Sequence, residues 1–130
     1  MNAHDIRSVL DELSMMEITP SMGDQDAGEA IRPIAQLNGS LVGVSRFSGQ
    51  TPWERHTGGD EFVQVVEGEI EVTIMAEGGP ESMSLSPGMV IVVPRGLWHR
   101  QDAPNGGGVL FATVVEGTES SWAEDPRTAS

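Results

Sequence analysis

Gly88-Met-Val-Ile-Val-Val-Pro94-Arg-Gly96-Leu-Trp-His99 is the stretch on which the reading of this chain turns. Val90 to Val93 is a short β-branched run, closed in front by Gly88 and behind by Pro94-Arg-Gly96, so it reads as a strand between two turns. Trp98 to Gln101 then opens a second strand. Working backward, Met83 to Leu85, Glu69 to Ala76 and Glu61 to Val66 are further short strands, separated by Glu77-Gly78-Gly79-Pro80 and Glu67-Gly68. Earlier still, Ile34 to Leu37 and Leu41 to Phe47 flank Asn38-Gly39, a dipeptide that favours the positive φ angles of a two-residue hairpin. Val109 to Val115 completes the set. Many short strands punctuated by Gly and Pro point to an all-β sandwich or closed barrel.

Outside these strands the pattern changes. Ile6, Val9, Leu10, Leu13 and Met16 recur at helical spacing, predicting one amphipathic helix between Asp5 and Met16. Ser21 to Glu29 is too polar to bury a face and reads as a linker. The expected organisation is an N-terminal helix and linker over 1–30, a barrel over 31–116, and an acidic, mobile tail over 117–130, with Trp122 able to dock.

Composition narrows the chemistry. Seven arginines face 20 carboxylate side chains, a formal net charge of -13, which repels nucleic acid and anionic membranes at long range. Lysine, tyrosine and cysteine are absent, which removes Schiff-base, tyrosyl-acid and thiolate chemistry as well as disulfides. The first residues lack a basic start followed by an apolar run, and no stretch reaches the roughly 20 apolar residues of a membrane span. A cytoplasmic protein is expected.

Imidazole chemistry falls to His56 and His99, because His4 lies in the N-terminal segment. His56 stands in the turn-rich run Trp53-Glu-Arg-His-Thr-Gly-Gly-Asp-Glu61, just before a strand. Alternate strand residues share a face, so Glu61 points inward if Val63 and Val65 do. A carboxylate buried there requires a cation or several donors. The alternatives are that Glu61 is a surface acid paired with Arg55 or Arg100, or that a one-residue slip turns Asp60 inward instead.

The run from Gly88 to His99 resembles the second motif of the cupin family, which reads Gly, five residues, Pro-x-Gly, two residues, His, three residues, Asn; it departs only at Ala103, where Asn is usual. The first cupin motif reads Gly, five residues, His-x-His, three or four residues, Glu, six residues, Gly. Glu61 and Gly68 fit it, and His56 falls at its second histidine. Glu54 then occupies the first, with Gly49 one residue too near; in another loop register Gly58 replaces the lost histidine. The resemblance spans about Ile34 to Val115. It implies a double-stranded β-helix, or jelly-roll barrel, with a divalent metal (Fe, Mn, Ni or Zn) held by His56, Glu61 and His99, and Glu54 as a fourth ligand.

Two function classes follow. The first is a metal-dependent enzyme on a small organic substrate, by dioxygenase, isomerase or lyase-type chemistry, with Glu54 as the catalytic proton carrier. The second is a non-catalytic binder or sensor that kept the barrel after losing one ligand. Trp53, Arg46 and Phe47 are expected to line the substrate pocket, Arg46 as a clamp for a carboxylate or enolate. Cupin resemblance also implies a homodimer, in which the N-terminal helix either joins the interface or covers its own barrel.

Overall fold

A computed structural model describes residues 1–23, 26 and 28–128; the expected linker therefore falls partly outside the described residues, at Asp24, Gln25 and Ala27. Helix α1 (Ile6–Glu12) is followed by β1 (Met16–Glu17), β2 (Ile31–Leu37), β3 (Ser40–Gln50), β4 (Trp53–His56), β5 (Glu61–Gly68), β6 (Ile70–Ala76), β7 (Gly79–Leu85), β8 (Val90–Val93), β9 (His99–Thr113) and β10 (Thr118–Ser121). The expected all-β barrel with a short N-terminal helix is the architecture the chain adopts. No helix among the described residues is long and apolar enough to cross a membrane.

The β2–β3 hairpin turns at Asn38 (φ 50°) and Gly39 (φ 82°), both left-handed as a type I′ turn requires. The 15-residue β9 is the spine of the curled sheet. Its first residues pair with β6 (Thr73 with Arg100), its middle and end pair with β3 (Phe47 with Gly107), and the same stretch pairs with β5 (Phe62 with Ala112). Trp98 to Gln101 and Val109 to Val115, read as two strands, are thus joined: Gly106-Gly-Gly108 carries the strand between them without side chains. A Cβ at Gly108 would sit 2.7 Å from Leu10, and one at Gly106 would sit 2.7 Å from Met15.

The interior core comprises Phe47, Val63, Val65, Val72, Val109 and Phe111 with their neighbours. A second cluster lies on the outer face, where Leu10 and Leu13 pack on Val44. Leu10 is fully buried, worth about 2 kcal/mol. α1 therefore covers its own barrel. The helix is shorter than the periodicity suggests: Asp5 caps it by accepting from Ser8 N, and the backbone is extended again at Leu13.

Two further expectations are corrected. The turn-rich run around His56 contains a strand, because Trp53–His56 finds a partner far along the chain. That partner is β10, where Thr118 pairs with His56 and Ser121 with Trp53. Part of the segment expected to be a mobile tail is consequently a paired strand, and Pro126 beyond it is buried. Polarity of the sequence hid this, since β10 joins by backbone hydrogen bonds rather than by an apolar face.

Candidate metal centre

β5 supplies the carboxylate. Glu61, Val63 and Val65 are buried while Phe62, Gln64 and Val66 are less so, which puts Glu61 inside. Asp60 is disposed of by its own partner: its Oδ1 accepts from the backbone N–H of Arg95 at 2.8 Å and so closes the Pro94–Gly96 turn. β4 and β9 supply the imidazoles, with Glu54 paired opposite His99. His56, Glu61 and His99 are 6%, 7% and 2% exposed, burial at which an unpaired charge is not tolerated.

The Glu61 carboxylate lies between the two rings. Oε1 is 2.9 Å from His99 Nε2 and Oε2 is 3.4 Å from His56 Nε2. The ring centroids are 5.2 Å apart. Each imidazole is oriented from behind: His99 Nδ1 is 3.2 Å from the Leu97 carbonyl, and His56 Nδ1 is 2.9 Å from Thr118 Oγ1. An Nδ1–H that donates to these groups leaves each Nε2 as a lone pair aimed at a carboxylate. Lone pair against carboxylate is repulsive unless a proton or a metal ion stands between them.

Electrostatics repeats the point. Burial pushes the Glu61 carboxyl up, but attraction to His56 and His99 outweighs it and holds the group at about 2. Burial likewise opposes charge on His99, yet the adjacent Glu61 carboxylate raises its pKa above the ordinary 6.5, with a small contribution from Glu54. The centre is built to surround positive charge. His56 Nε2 is buried without a hydrogen-bond partner among the described residues, and the three ligand atoms lie within 4.8 Å of one another. Two neutral imidazoles and a carboxylate suit a divalent transition metal. The group is thus able to hold one.

Above the centre opens a cavity of about 400 Å³, lined among others by Glu54, His56, Glu61, Phe47 and Phe111. Phe47 and Glu54, of the expected site residues, line this cavity. Trp53 and Arg46 do not. Along β4, Glu54 and His56 face the cavity, so Trp53 faces away, packed with Met75 and Trp98 and covered by the Arg100 guanidinium 4.3 Å from its ring centroid. On β3, Phe47 points inward and Arg46 outward. Its Nε is 2.7 Å from Glu67 Oε1, and its Nη1 donates to the carbonyls of Leu10 (3.2 Å) and Leu13 (3.0 Å), tying α1 to the barrel.

Three functional candidates escaped sequence reasoning: Thr118 behind His56, and Gln101 and Thr113 in the cavity wall. Gln101 was accessible, since it lies two residues from His99 on the same strand face. Thr118 was not, because nothing local ties residue 118 to residue 56.

The family model of the cupin domain matches residues 47–115. The chain belongs to the cupin family. Among solved structures, this cupin is similar to a protein from Neisseria meningitidis (20% identity, 86% of this chain and 98% of that one, TM-score 0.66). It is also similar to a cupin-2 domain containing protein from Shewanella frigidimarina (22% identity, 70% and 79%, TM-score 0.55). A third is a hydroquinone 1,2-dioxygenase solved with Cd²⁺ and 4-hydroxybenzonitrile (19% identity, 87% and 72%, TM-score 0.60). At these identities the likeness is one of fold. No curated protein sequence matches this cupin.

Proposed function

We propose that this cupin is a metal-dependent enzyme acting on a small organic substrate held in the barrel mouth. The observation that carries the reading is the buried His56–Glu61–His99 group, of which His56 and Glu61 line a cavity large enough for such a molecule. His56, Glu61 and His99 hold the ion. A divalent metal bound there would supply Lewis acidity and, if redox-active, a route for electrons. Thr118 and the Leu97 carbonyl fix the ring orientations. Glu54, on the same wall of β4 as His56, is the group in reach of the cavity to accept or return a proton.

A second reading has its own support. Glu54, or Gly58 in the other register, stands where the family motif has its remaining histidine, so this is a three-ligand centre that also suits a non-catalytic ligand binder. We further read the protein as a cytoplasmic homodimer. α1 is used on its own barrel, and the exposed Val90 and Val92 of β8 offer an outer face for the second copy; size-exclusion chromatography with light scattering checks this.

Metal analysis of the purified wild type, His56→Ala and His99→Ala tests the main reading, together with oxygen uptake and product analysis on enols, diols and keto acids. Loss of a stoichiometric metal in both variants, with turnover in the wild type, is expected. Undiminished metal in the variants, or none in the wild type, refutes it. Metal without turnover moves the protein to the binder class.

A further inference from the structure

Besides His56 Nε2, two polar atoms of the cavity wall have no hydrogen-bond partner among the described residues. Thr113 Oγ1 and Gln101 Oε1 are both buried without a hydrogen bond, and Thr113 is only 6% exposed. Their placement follows from register. Phe62 pairs with Ala112, so the next antiparallel position sets Thr113 across from Glu61. Gln101 shares the inward face of β9 with His99, and its backbone N–H is fixed by Thr51 Oγ1 at 3.0 Å. The two orphans thus stand toward opposite ends of the same strand, β9, Gln101 beside His99 and Thr113 across from Glu61, and both line the cavity. A buried polar group left unpaired costs about 1–3 kcal/mol, so such groups mark places where a ligand completes the bonding.

The rest of the wall says what kind of ligand. Phe47, Phe111 and Val109 give it apolar and aromatic surface. Its ionisable members besides His56 are Glu54 and Glu61, both acidic. None of the seven arginines lines it among the described residues: on β3, β4 and β9, Arg46, Arg55 and Arg100 are engaged with Glu67, Glu119 and the Trp53 ring. A divalent ion would offset the two carboxylates and leave no positive charge for a third.

We infer that the cavity takes a neutral, hydroxyl-bearing aromatic compound, and that Gln101 and Thr113 are its specificity determinants. A hydroxyl both donates and accepts, so it satisfies the threonine hydroxyl and either face of the glutamine amide. A carboxylate finds no arginine in the described lining and meets the two acidic side chains Glu54 and Glu61. The inference rests on the metal-site reading only for the position of the cavity floor.

Calorimetric titration of the full chain, chelated and zinc-loaded, with phenol, anisole, benzoate and oxalate tests it. Phenol is expected to bind at least about tenfold tighter than anisole or either anion. Gln101→Leu and Thr113→Val should each weaken phenol about tenfold and leave anisole unchanged, which also reports that the variants are folded; Thr113→Ser should retain phenol. Benzoate or oxalate binding as tightly as phenol, equal phenol and anisole, or unaltered phenol binding in both variants overturns the inference. Phenol preference in a chain that takes up no zinc leaves the inference standing and removes the metal reading. Zinc held through His56 and His99 with a preference for anions does the reverse.

Discussion

Replacing Glu61 by Gln in the chelated protein keeps the shape of the side chain and removes the charge on which both imidazoles converge. With its carboxyl at about 2 against the ordinary 4.5, Glu61 favours its ionised form by about 2.5 powers of ten, or about 3 kcal/mol at about 1.4 kcal/mol each. A depressed carboxylate pKa stabilises the fold above the unfolded value, and that stability is lost as pH falls from about 4.5 toward 2. His99 works in the opposite sense: its raised pKa contributes stability below 6.5 that is lost as pH climbs through the raised value. Both contributions depend on the same pair. The stability difference between wild type and Glu61→Gln should therefore form a plateau of about 3 kcal/mol between about pH 4.5 and 6.5, and decline on either side. Urea unfolding of both proteins across about pH 2 to 9 measures it. A difference that is constant with pH, or that grows steadily toward alkaline pH, would refute the assignment of Glu61 as the counter-charge of the imidazoles. Saturating divalent metal should abolish the alkaline decline in the wild type, because neutral imidazoles are the ligating form.

Thr118→Val removes the group that orients His56 and should weaken metal binding about 10- to 100-fold in a competitive titration, with Thr118→Ser close to wild type. Arg46→Met strips the α1 carbonyls and Glu67 of their shared donor; about 1–3 kcal/mol should be lost in urea unfolding, while metal content stays unchanged. Gly68 has φ 74°, and a Cβ there collides with the Gly106 carbonyl, so Gly68→Ala should cost about 2 kcal/mol or more by the same assay.

Much of the barrel was legible because its signals are local. Asn38-Gly39 dictates its turn, and Gly88 to His99 carries strand, turn and ligand within twelve positions. Strand parity also settled Glu61, once Val63 and Val65 were taken as inward. The same parity argues against two of the expected pocket residues. Arg46 and Phe47 are sequence neighbours on one strand, as are Trp53 and Glu54, so only one of each pair faces the cavity. What was not legible is non-local: Trp53–His56 lacks an alternating apolar pattern, and becomes a strand only by pairing with Thr118–Ser121. Thr118, Gln101 and Thr113 are ordinary polar residues whose roles come from what lies across from them.

The dependence of so much of the sheet on β9 bears on how the molecule is made. β9 joins partners drawn from β3, β4, β5 and β6, and its pairing of Leu41 with Thr113 closes a loop of most of the barrel. Such long closures are entropically expensive before any packing offsets them, and chains dominated by them fold on the millisecond-to-second scale rather than in microseconds. His99 is at the beginning of β9, while the Thr118 that steadies His56 is made later still. During synthesis the imidazole–carboxylate group therefore assembles only after Thr118 has been made, and uptake of metal would report a closed barrel rather than assist an open one.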